Sequence, residues 1–225
     1  MKRKIITTGD GSKTIQIEDW NEQYHSVHGA VQEAYHVFIK NGLSLYQNRE
    51  LAILEIGFGT GLNAFITLLE GQKQGLQIRY QGVEGYPVSP EEVTELNYVA
   101  QLKAQDFENE LLLMHNSPWE EPCNITDNFT LLKQQKDFKD IGEANAFDLI
   151  YFDAFGARVQ PELWTEEIFA KMFQALKPEG ILVTYAAKGS VRRAMQAVGF
   201  IVERLPGPPG KREMLRGQKN NKGAF

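Results

Sequence analysis

The segment formed by residues 51–63 constrains the fold of this chain more than any other stretch of its sequence. It begins as a continuous apolar run of strand length, which is typical of a parallel strand buried on both faces. Three glycines follow at alternate positions, and apolar residues then recur at helical spacing from Leu62 onward. The pattern predicts a strand, a glycine-rich turn and a helix. In such a turn Gly57 and Gly59 adopt positive φ and let a ligand approach the backbone.

The spacing of these glycines indicates which class of ligand to expect. A dinucleotide fingerprint reads G-x-G-x-x-G, with the pyrophosphate at the start of the helix. Here the glycines alternate, and an acid precedes the first glycine by two residues. This arrangement is similar to the first motif of the S-adenosylmethionine-dependent methyltransferases, whose ligand has no phosphate. The resemblance implies a cofactor site that contains Glu55, Gly57, Phe58, Gly59, Thr60 and Gly61. The alternative is a tight turn that binds nothing.

The remaining chain alternates predicted strands and helices, which is the pattern of βαβ units in a parallel sheet. We predict further strands at 77–83, 129–132, 147–152, 180–185, 200–202 and 212–215. Helices are expected at 30–39, 163–176 and 190–198, and another opens at Pro90 with Ser89 as its N-cap. Residues 106–127 are interpreted mostly as a connecting segment with helical pieces, and residues 4–17 as a β-hairpin.

These elements predict an α/β, Rossmann-like class I methyltransferase fold. Its sheet is mostly parallel and seven-stranded, and a small N-terminal β-hairpin is appended to it. We divide the chain into residues 1–45, a hairpin, loop and helix that cover the site, and residues 46–225, the Rossmann-like core with a basic C-terminal tail.

Composition excludes several classes of protein. Cys123 is the only cysteine, so intrachain disulfides and cysteine-based zinc sites are excluded. No apolar run reaches transmembrane length, and no apolar signal-peptide core follows the basic first residues. We therefore expect a cytoplasmic protein without a membrane partner. His25 and His28 form a pair with no supporting cluster, so no metal site is predicted.

Three acids follow the predicted strands at the edge where open α/β sheets bind their ligands. Glu84 ends the second predicted strand, Asp137 follows the third, and Asp153 ends the fourth. Glu84 is a candidate for the ribose hydroxyls of a nucleoside, and Asp137 for the exocyclic amine of adenine. The alternative for each is a helix N-cap or a solvated loop acid.

Asp153 is the most suggestive of these acids, because an apolar strand delivers its carboxylate directly to the edge of the sheet. A carboxylate suits an amine that accepts a methyl group. It accepts a hydrogen bond from the amine, orients the nitrogen lone pair and takes the proton as a general base. We predict Asp153 as the catalytic residue, with an N-cap as the alternative.

Charge is distributed unevenly along the chain. The net charge of −5 conceals a basic segment at residues 186–225, which carries +7 and leaves −12 for the first 185 residues. Two acids, Glu203 and Glu213, oppose nine basic residues there: Lys188, Arg192, Arg193, Arg204, Lys211, Arg212, Arg216, Lys219 and Lys222. Such asymmetry favours a nucleic-acid partner, although a basic tail that only solvates the protein is the alternative on charge alone.

Several short motifs together closely resemble the MnmC-like methyltransferase family over nearly the whole chain. They occur, in order, at residues 10–14, 24–33, 57–63, 153–155, 164–165, 184–185, 191–193 and 210–214. The resemblance implies methylation of the amine of 5-aminomethyl-2-thiouridine at the wobble position of tRNA. It also implies that tRNA contacts the basic C-terminal region through Arg192, Arg193, Lys211 and Arg212. Tyr24, Glu33 and Phe155 are candidates for the acceptor pocket, with core packing as the alternative for Phe155.

We expect the chain to differ from the bifunctional members of that family in lacking their flavin-dependent oxidase half. A separate enzyme would then supply the aminomethyl nucleoside. Two other classes stay open at this stage. One is a small-molecule amine methyltransferase or a spermidine-synthase-like transferase, and the other is a non-catalytic tRNA-binding module.

Overall fold

The computed structural model describes residues 2–220, which form a large mixed sheet with helices on both faces and a small sheet before it. The small sheet contains β1 (Arg3–Thr7), β2 (Lys13–Ile17) and β3 (Glu22–Gln23). The large sheet contains β4 (Glu50–Ile56), β5 (Gln77–Glu84), β6 (Pro122–Thr126), β7 (Phe129–Gln135), β8 (Phe147–Phe152), β9 (Leu176–Thr184), β10 (Phe200–Pro206) and β11 (Glu213–Lys219).

The strand order of the large sheet is β10-β11-β9-β8-β4-β5-β7-β6. The five central strands β9, β8, β4, β5 and β7 run parallel to one another. β11 pairs antiparallel with both β9 and β10, and β6 pairs antiparallel with β7. The predicted α/β fold with a small antiparallel appendage is confirmed.

The predicted strand count was too low by one, since eight strands form the large sheet within residues 2–220. The additional strand is β6, which lies in the segment expected to be mostly a connection. It is an edge strand that begins at Pro122 and forms a hairpin with β7. Proline is tolerated at the first position of an edge strand, so Pro122 does not prevent the formation of β6.

The helices are α1 (Ala30–Ala34), α2 (Leu62–Lys73), α3 (Pro90–Thr94), α4 (Tyr98–Gln101), α5 (Glu108–Asn116), α6 (Glu166–Ala175) and α7 (Gly189–Ala197). α1 continues as a π-helical turn over Tyr35–Lys40. α3 starts as predicted, because the Ser89 side chain accepts from the Glu92 N–H in a capping box. α6 is shorter than predicted. Thr165 caps it, and Pro161–Trp164 forms a separate 3-10 turn.

β4 lies at the centre of the sheet and is buried from Leu51 to Ile56. Its alternate side chains enter two apolar clusters, so that Ile53 packs with α2 and Leu54 packs on the side of α6 and α7. A strand covered on both faces needs apolar side chains in both directions, which explains its unbroken apolar run. Glu55 is the exception, a fully buried carboxyl one residue before the end of this strand.

The small sheet is tied to both sides of the large one. The Arg3 guanidinium donates to the Tyr86 carbonyl and to Glu92, beyond the end of β5. On the other side, the Arg158 guanidinium donates to the Trp20 carbonyl and to Glu22. The N-terminal segment therefore spans the edge where the parallel strands end. The division of the chain at residues 45 and 46 stays a prediction. No helix within residues 2–220 is long and apolar enough to cross a membrane.

Candidate active site

A cleft of about 930 Å³ lies at the carboxyl ends of the five parallel strands. Each of these strands ends at or within two residues of a cleft residue, namely Gly57 after β4, Glu84 in β5, Asp137 after β7, Asp153 after β8 and Tyr185 after β9. The cleft also contains further predicted residues: Phe58, Gly59, Thr60, Tyr24, Glu33, Phe155 and Lys211. Five other predicted residues do not line it: Glu55, Gly61, Arg192, Arg193 and Arg212.

The glycine turn has the predicted backbone conformation, with φ of +89° at Gly57 and +50° at Gly59. A Cβ on Gly57 would lie 2.7 Å from the Asp153 carbonyl oxygen, and one on Gly59 would lie 2.9 Å from the Tyr24 ring. The absence of a side chain therefore lets the end of β8 pack against Gly57 and the Tyr24 ring pack against Gly59, and both glycines line the cleft. Gly61 has a left-handed conformation and is the N-cap residue of α2.

Glu84 is almost fully buried, and the backbone around it fixes its carboxylate. One oxygen accepts from the Gly59 N–H at 2.9 Å and the other from the Tyr86 N–H at 2.8 Å. The carboxylate thus joins the glycine turn to the loop after β5. A carboxylate oxygen has two lone-pair sites, so each oxygen can accept a further donor from the cleft.

Asp137 is about half exposed, and unlike that of Glu84 its carboxylate contacts only its own turn within the described residues. Its carboxylate accepts from the Lys139 N–H at 3.0 Å and forms an ion pair with the Lys139 ammonium at 3.2 Å. These contacts lower the pKa of Asp137. Its side chain caps the 3-10 turn Phe138–Asp140, which is the alternative role raised by the sequence, while it also lines the cleft.

Asp153 is placed by the pairing of β8 with β4, because its N–H donates to the Ile56 carbonyl at 2.9 Å. One carboxylate oxygen accepts from the Asn63 amide at 2.8 Å. Burial raises the pKa of Asp153 well above its usual range, and the Glu33 carboxylate raises it further. The carboxyl therefore holds a proton more readily than an exposed aspartate does.

The sequence analysis did not select Asn63 or Tyr185 as site residues, although both line the cleft. Asn63 lies in the first turn of α2 and contacts both Asp153 and Glu55. Tyr185 follows β9, and its hydroxyl donates to the Ala154 carbonyl at 2.8 Å. Their positions in the sequence could have indicated both residues, because Asn63 follows the glycine turn and Tyr185 follows a parallel strand.

An ion pair lies beside Asp153 on the cleft wall. The Lys211 ammonium is 2.7 Å from a Glu33 carboxylate oxygen and 3.8 Å from the centroid of the Tyr185 ring. The other Glu33 oxygen accepts from the Ser26 N–H at 3.0 Å. This ammonium is therefore held by a carboxylate and an aromatic face.

Three aromatic rings form one wall at the mouth of the cleft. The Phe155 ring contacts Trp20 and Tyr24 edge-on, with centroids 5.6 and 5.0 Å apart. All three residues line the cleft, and each is partly exposed. The rings pack on one another and still present surface to a ligand. Phe155 can therefore pack against its neighbours and also form part of the acceptor pocket.

Part of the C-terminal basic charge is neutralised within the fold. Arg216 pairs with Glu203 at 2.6 Å, and Arg204 pairs with Glu213 at 3.7 Å. The exposed residues Lys188, Arg193 and Arg212 form no ion pair within residues 2–220. Lys222 lies outside the described residues. Among those described, no group of three His, Cys, Asp or Glu side chains could hold a metal ion.

Comparison with known families assigns this architecture. Residues 97–220, more than half of the chain, match a family described as S-adenosyl-L-methionine-dependent methyltransferase. The chain belongs to this methyltransferase family. The matched range contains Asp137, Asp153 and Lys211, whereas the glycine turn precedes it.

Curated relatives of this methyltransferase are much longer proteins. The chain is 30% identical to the tRNA 5-methylaminomethyl-2-thiouridine biosynthesis bifunctional protein MnmC of Aromatoleum aromaticum, over 98% of the chain and 36% of that protein. It is 29% identical to the protein of the same name from Leptospira borgpetersenii, over 90% of the chain and 33% of that protein. The chain therefore spans about a third of the length of these relatives.

Solved structures support the fold of the methyltransferase. MNMC2 from Aquifex aeolicus matches with a TM-score of 0.75 at 24% identity, over 99% of this chain and 71% of that one. Spermidine synthase from Thermotoga maritima matches with a TM-score of 0.54 at 13% identity, over 100% and 73% of the respective chains. At these identities the similarity concerns architecture.

Proposed function

We propose that this methyltransferase methylates the aminomethyl group of 5-aminomethyl-(2-thio)uridine at the wobble position of tRNA. The observation that carries the proposal is the Asp153 carboxylate, held at the carboxyl end of β8 beside the glycine turn and lining the cleft. The longer relatives are named for the biosynthesis of 5-methylaminomethyl-2-thiouridine in tRNA, which is the nucleoside that this methylation would produce. A cytoplasmic location, where tRNA is modified, belongs to the same proposal.

The residues on the cleft wall fit S-adenosylmethionine. The cleft volume of about 930 Å³ lies in the range of small-molecule sites. In our proposal, the turn from Gly57 to Gly61 lies along the methyl donor, Glu84 accepts from the ribose hydroxyls, and Asp137 accepts from the adenine amine. When bound, this donor supplies an electrophilic methyl group on a sulfonium.

Asp153 suits the amine that receives the methyl group. With the donor bound, the acceptor amine would take its methyl group, and the electron pair of the broken carbon–sulfur bond would stay on sulfur. Attack needs a neutral amine, and the raised pKa of Asp153 lets its carboxylate take a proton from the nitrogen. The same carboxylate stabilises the positive charge that develops on the nitrogen.

The surface around the cleft suits tRNA. Arg193 and Arg212 are exposed cations without an acidic partner in the described part of the chain, and Lys211 lies on the cleft wall itself. We propose that these residues and Arg192 contact tRNA phosphates, and that the wobble base leaves its stack to reach Asp153. Phe155, Tyr24 and Trp20 offer ring surface on which such a base stacks.

The function is tested with the purified chain, S-adenosylmethionine and tRNA that carries 5-aminomethyl-2-thiouridine. Mass spectrometry of the digested nucleosides should show a gain of one methyl group on that nucleoside. Methylation of free amines but not of tRNA would instead indicate a small-molecule transferase. Binding of tRNA without binding of S-adenosylmethionine would indicate a non-catalytic module. We propose that a separate enzyme supplies the aminomethyl group.

A further inference from the structure

A single amide connects the cleft to a carboxyl buried inside the sheet. The Asn63 amide nitrogen donates to Asp153 Oδ2 at 2.8 Å and to Glu55 Oε1 at 2.8 Å. A side-chain amide nitrogen has two hydrogens, so these two contacts use all of its donors. Asn63 is almost fully buried, and Glu55 is fully buried.

The fold explains why an amide lies at this point. Glu55 in β4 and Asp153 after β8 belong to neighbouring parallel strands, and α2 begins directly above them after the glycine turn. The first turn of α2 therefore places its second residue between the two carboxyls. Two acids this close repel each other, and a side chain that donates to both offsets that repulsion.

The hydrogen bond also leaves the second Asp153 oxygen available to a ligand. Oδ2 is occupied by Asn63, whereas Oδ1 receives no hydrogen bond from the described residues. Asp153 is partly exposed and lines the cleft. Fixing one oxygen selects one orientation of the carboxylate before the acceptor arrives.

We propose that Asn63 is a positioning residue that holds the Asp153 carboxylate toward the methyl acceptor, and that Glu55 acts on the reaction through Asn63 rather than by touching the methyl donor. The proposal rests on the proposed role of Asp153. It revises the role that the glycine motif implies for Glu55, because this carboxyl does not line the cleft and accepts a hydrogen bond from Asn63.

The test compares Asn63→Leu with the wild-type chain. Leucine has a similar volume and no donor, so Asp153 loses its orientation. We expect kcat to fall by about 100-fold, the scale of a misplaced catalytic group, while the Kd for S-adenosylmethionine changes by less than about threefold. The Asn63 hydrogen bond lowers the pKa of Asp153, so the acid limb of the kcat–pH profile should move to higher pH in this variant.

Glu55 is tested by a pair of variants. Glu55→Leu removes the acceptor that holds the Asn63 amide, and it should lower kcat while leaving the Kd for S-adenosylmethionine nearly unchanged. Glu55→Gln keeps an acceptor oxygen at this position and should recover part of the lost kcat. Weaker binding of S-adenosylmethionine in both variants would overturn the indirect role.

A double-mutant cycle separates positioning from a general loss of structure. If Asn63 acts through Asp153, Asn63→Leu should have little further effect on kcat in an Asp153→Asn background. Thr67→Val is the matched control, because Thr67 lies on the same helix and donates a buried hydrogen bond to the Tyr151 hydroxyl at 3.2 Å, away from the cleft. A comparable loss of kcat in this control, or additive losses in the cycle, would overturn the proposal.

The choice of acceptor substrate distinguishes failure of the proposed function from failure of the inference about Asn63. If the wild-type chain methylates a small amine and not tRNA, the proposed function fails. The Asn63 variants then still report on Asp153 with that amine. If tRNA is methylated and Asn63→Leu leaves kcat and its pH profile unchanged, only the inference about Asn63 fails.

Discussion

The Lys211 ammonium lies 2.7 Å from the Glu33 carboxylate, although the two residues are 178 positions apart in the chain. The pair joins the loop after β10 to α1 and forms part of the cleft wall beside Asp153. Glu33 raises the pKa of Asp153, and Lys211 lowers it. The pair therefore influences the protonation of the proposed base without a direct hydrogen bond to it.

Lys211→Met should lower kcat at acidic pH and should also lower the free energy of unfolding. Removing the ammonium leaves the buried Glu33 carboxylate without its cation and removes a group that lowers the pKa of Asp153. Asp153 would then lose its charge at a higher pH, so the acid limb of the kcat–pH profile should move upward. The free energy of unfolding should fall by about 1–3 kcal/mol, the cost of an unsatisfied buried acceptor.

Lys211→Arg keeps the charge and should preserve most of the pH profile. Lys73→Met is the matched control for stability, because its exposed ion pair with Glu70 should contribute less than about 1 kcal/mol. An unshifted acid limb in Lys211→Met would show that the pair does not influence Asp153.

Asp153→Asn should separate binding from turnover. The amide keeps the size of the side chain but cannot take a proton, so methyl transfer should slow by about 100-fold to 10,000-fold. Calorimetry should show that S-adenosylmethionine still binds, since the glycine turn and Glu84 are unchanged. Wild-type turnover of this variant on a confirmed substrate would rule out Asp153 as the base.

Glu84→Gln should weaken binding of S-adenosylmethionine. The two Glu84 oxygens accept from the Gly59 and Tyr86 N–H groups, and a glutamine must turn its own N–H₂ toward one of these donors. Calorimetry should show a Kd higher by about 10- to 100-fold, which corresponds to the loss of a charge-assisted hydrogen bond.

Asp137→Asn is the comparison for Glu84→Gln. Its side chain is about half exposed and caps a 3-10 turn, and asparagine also caps well, so a smaller change in Kd is expected. If Asp137→Asn raised the Kd as much as Glu84→Gln or more, the contact of Asp137 with adenine would contribute more to binding than the ordering of the glycine turn by Glu84.

Arginines without an acidic partner should contribute more to tRNA binding than arginines that form ion pairs. Arg193→Gln with Arg212→Gln removes two exposed cations, and Arg204→Gln with Arg216→Gln removes two that pair with Glu213 and Glu203. Both double variants change the net charge equally. The first should raise the Kd for tRNA by at least about tenfold and flatten its salt dependence by about one unit per lost phosphate contact, and the second should do neither. Similar effects in both would indicate attraction by net charge alone.

Much of the fold could be predicted because the relevant signals are local. The β8 prediction at 147–152 agrees with the structure at both ends, since a mostly apolar run that stops at Asp153 is a local signal for a buried strand. β6 could not be predicted in this way, because an exposed edge strand has little periodicity and gains its identity by pairing with β7. The extension of β9 back to Leu176 likewise depends on contact with β8.

For the candidate site, the amino-acid sequence by itself determined which acids follow the parallel strands, because strand ends and glycine turns are local patterns. It thereby placed Glu84, Asp137 and Asp153 at one edge of the sheet. Only the tertiary structure decided how each acid is held: Glu84 by two backbone N–H groups, Asp137 by its own turn, and Asp153 by the Asn63 amide that also contacts Glu55. The reason is physical, since burial and hydrogen-bond partners arise where distant segments pack together, and no spacing along the chain specifies them.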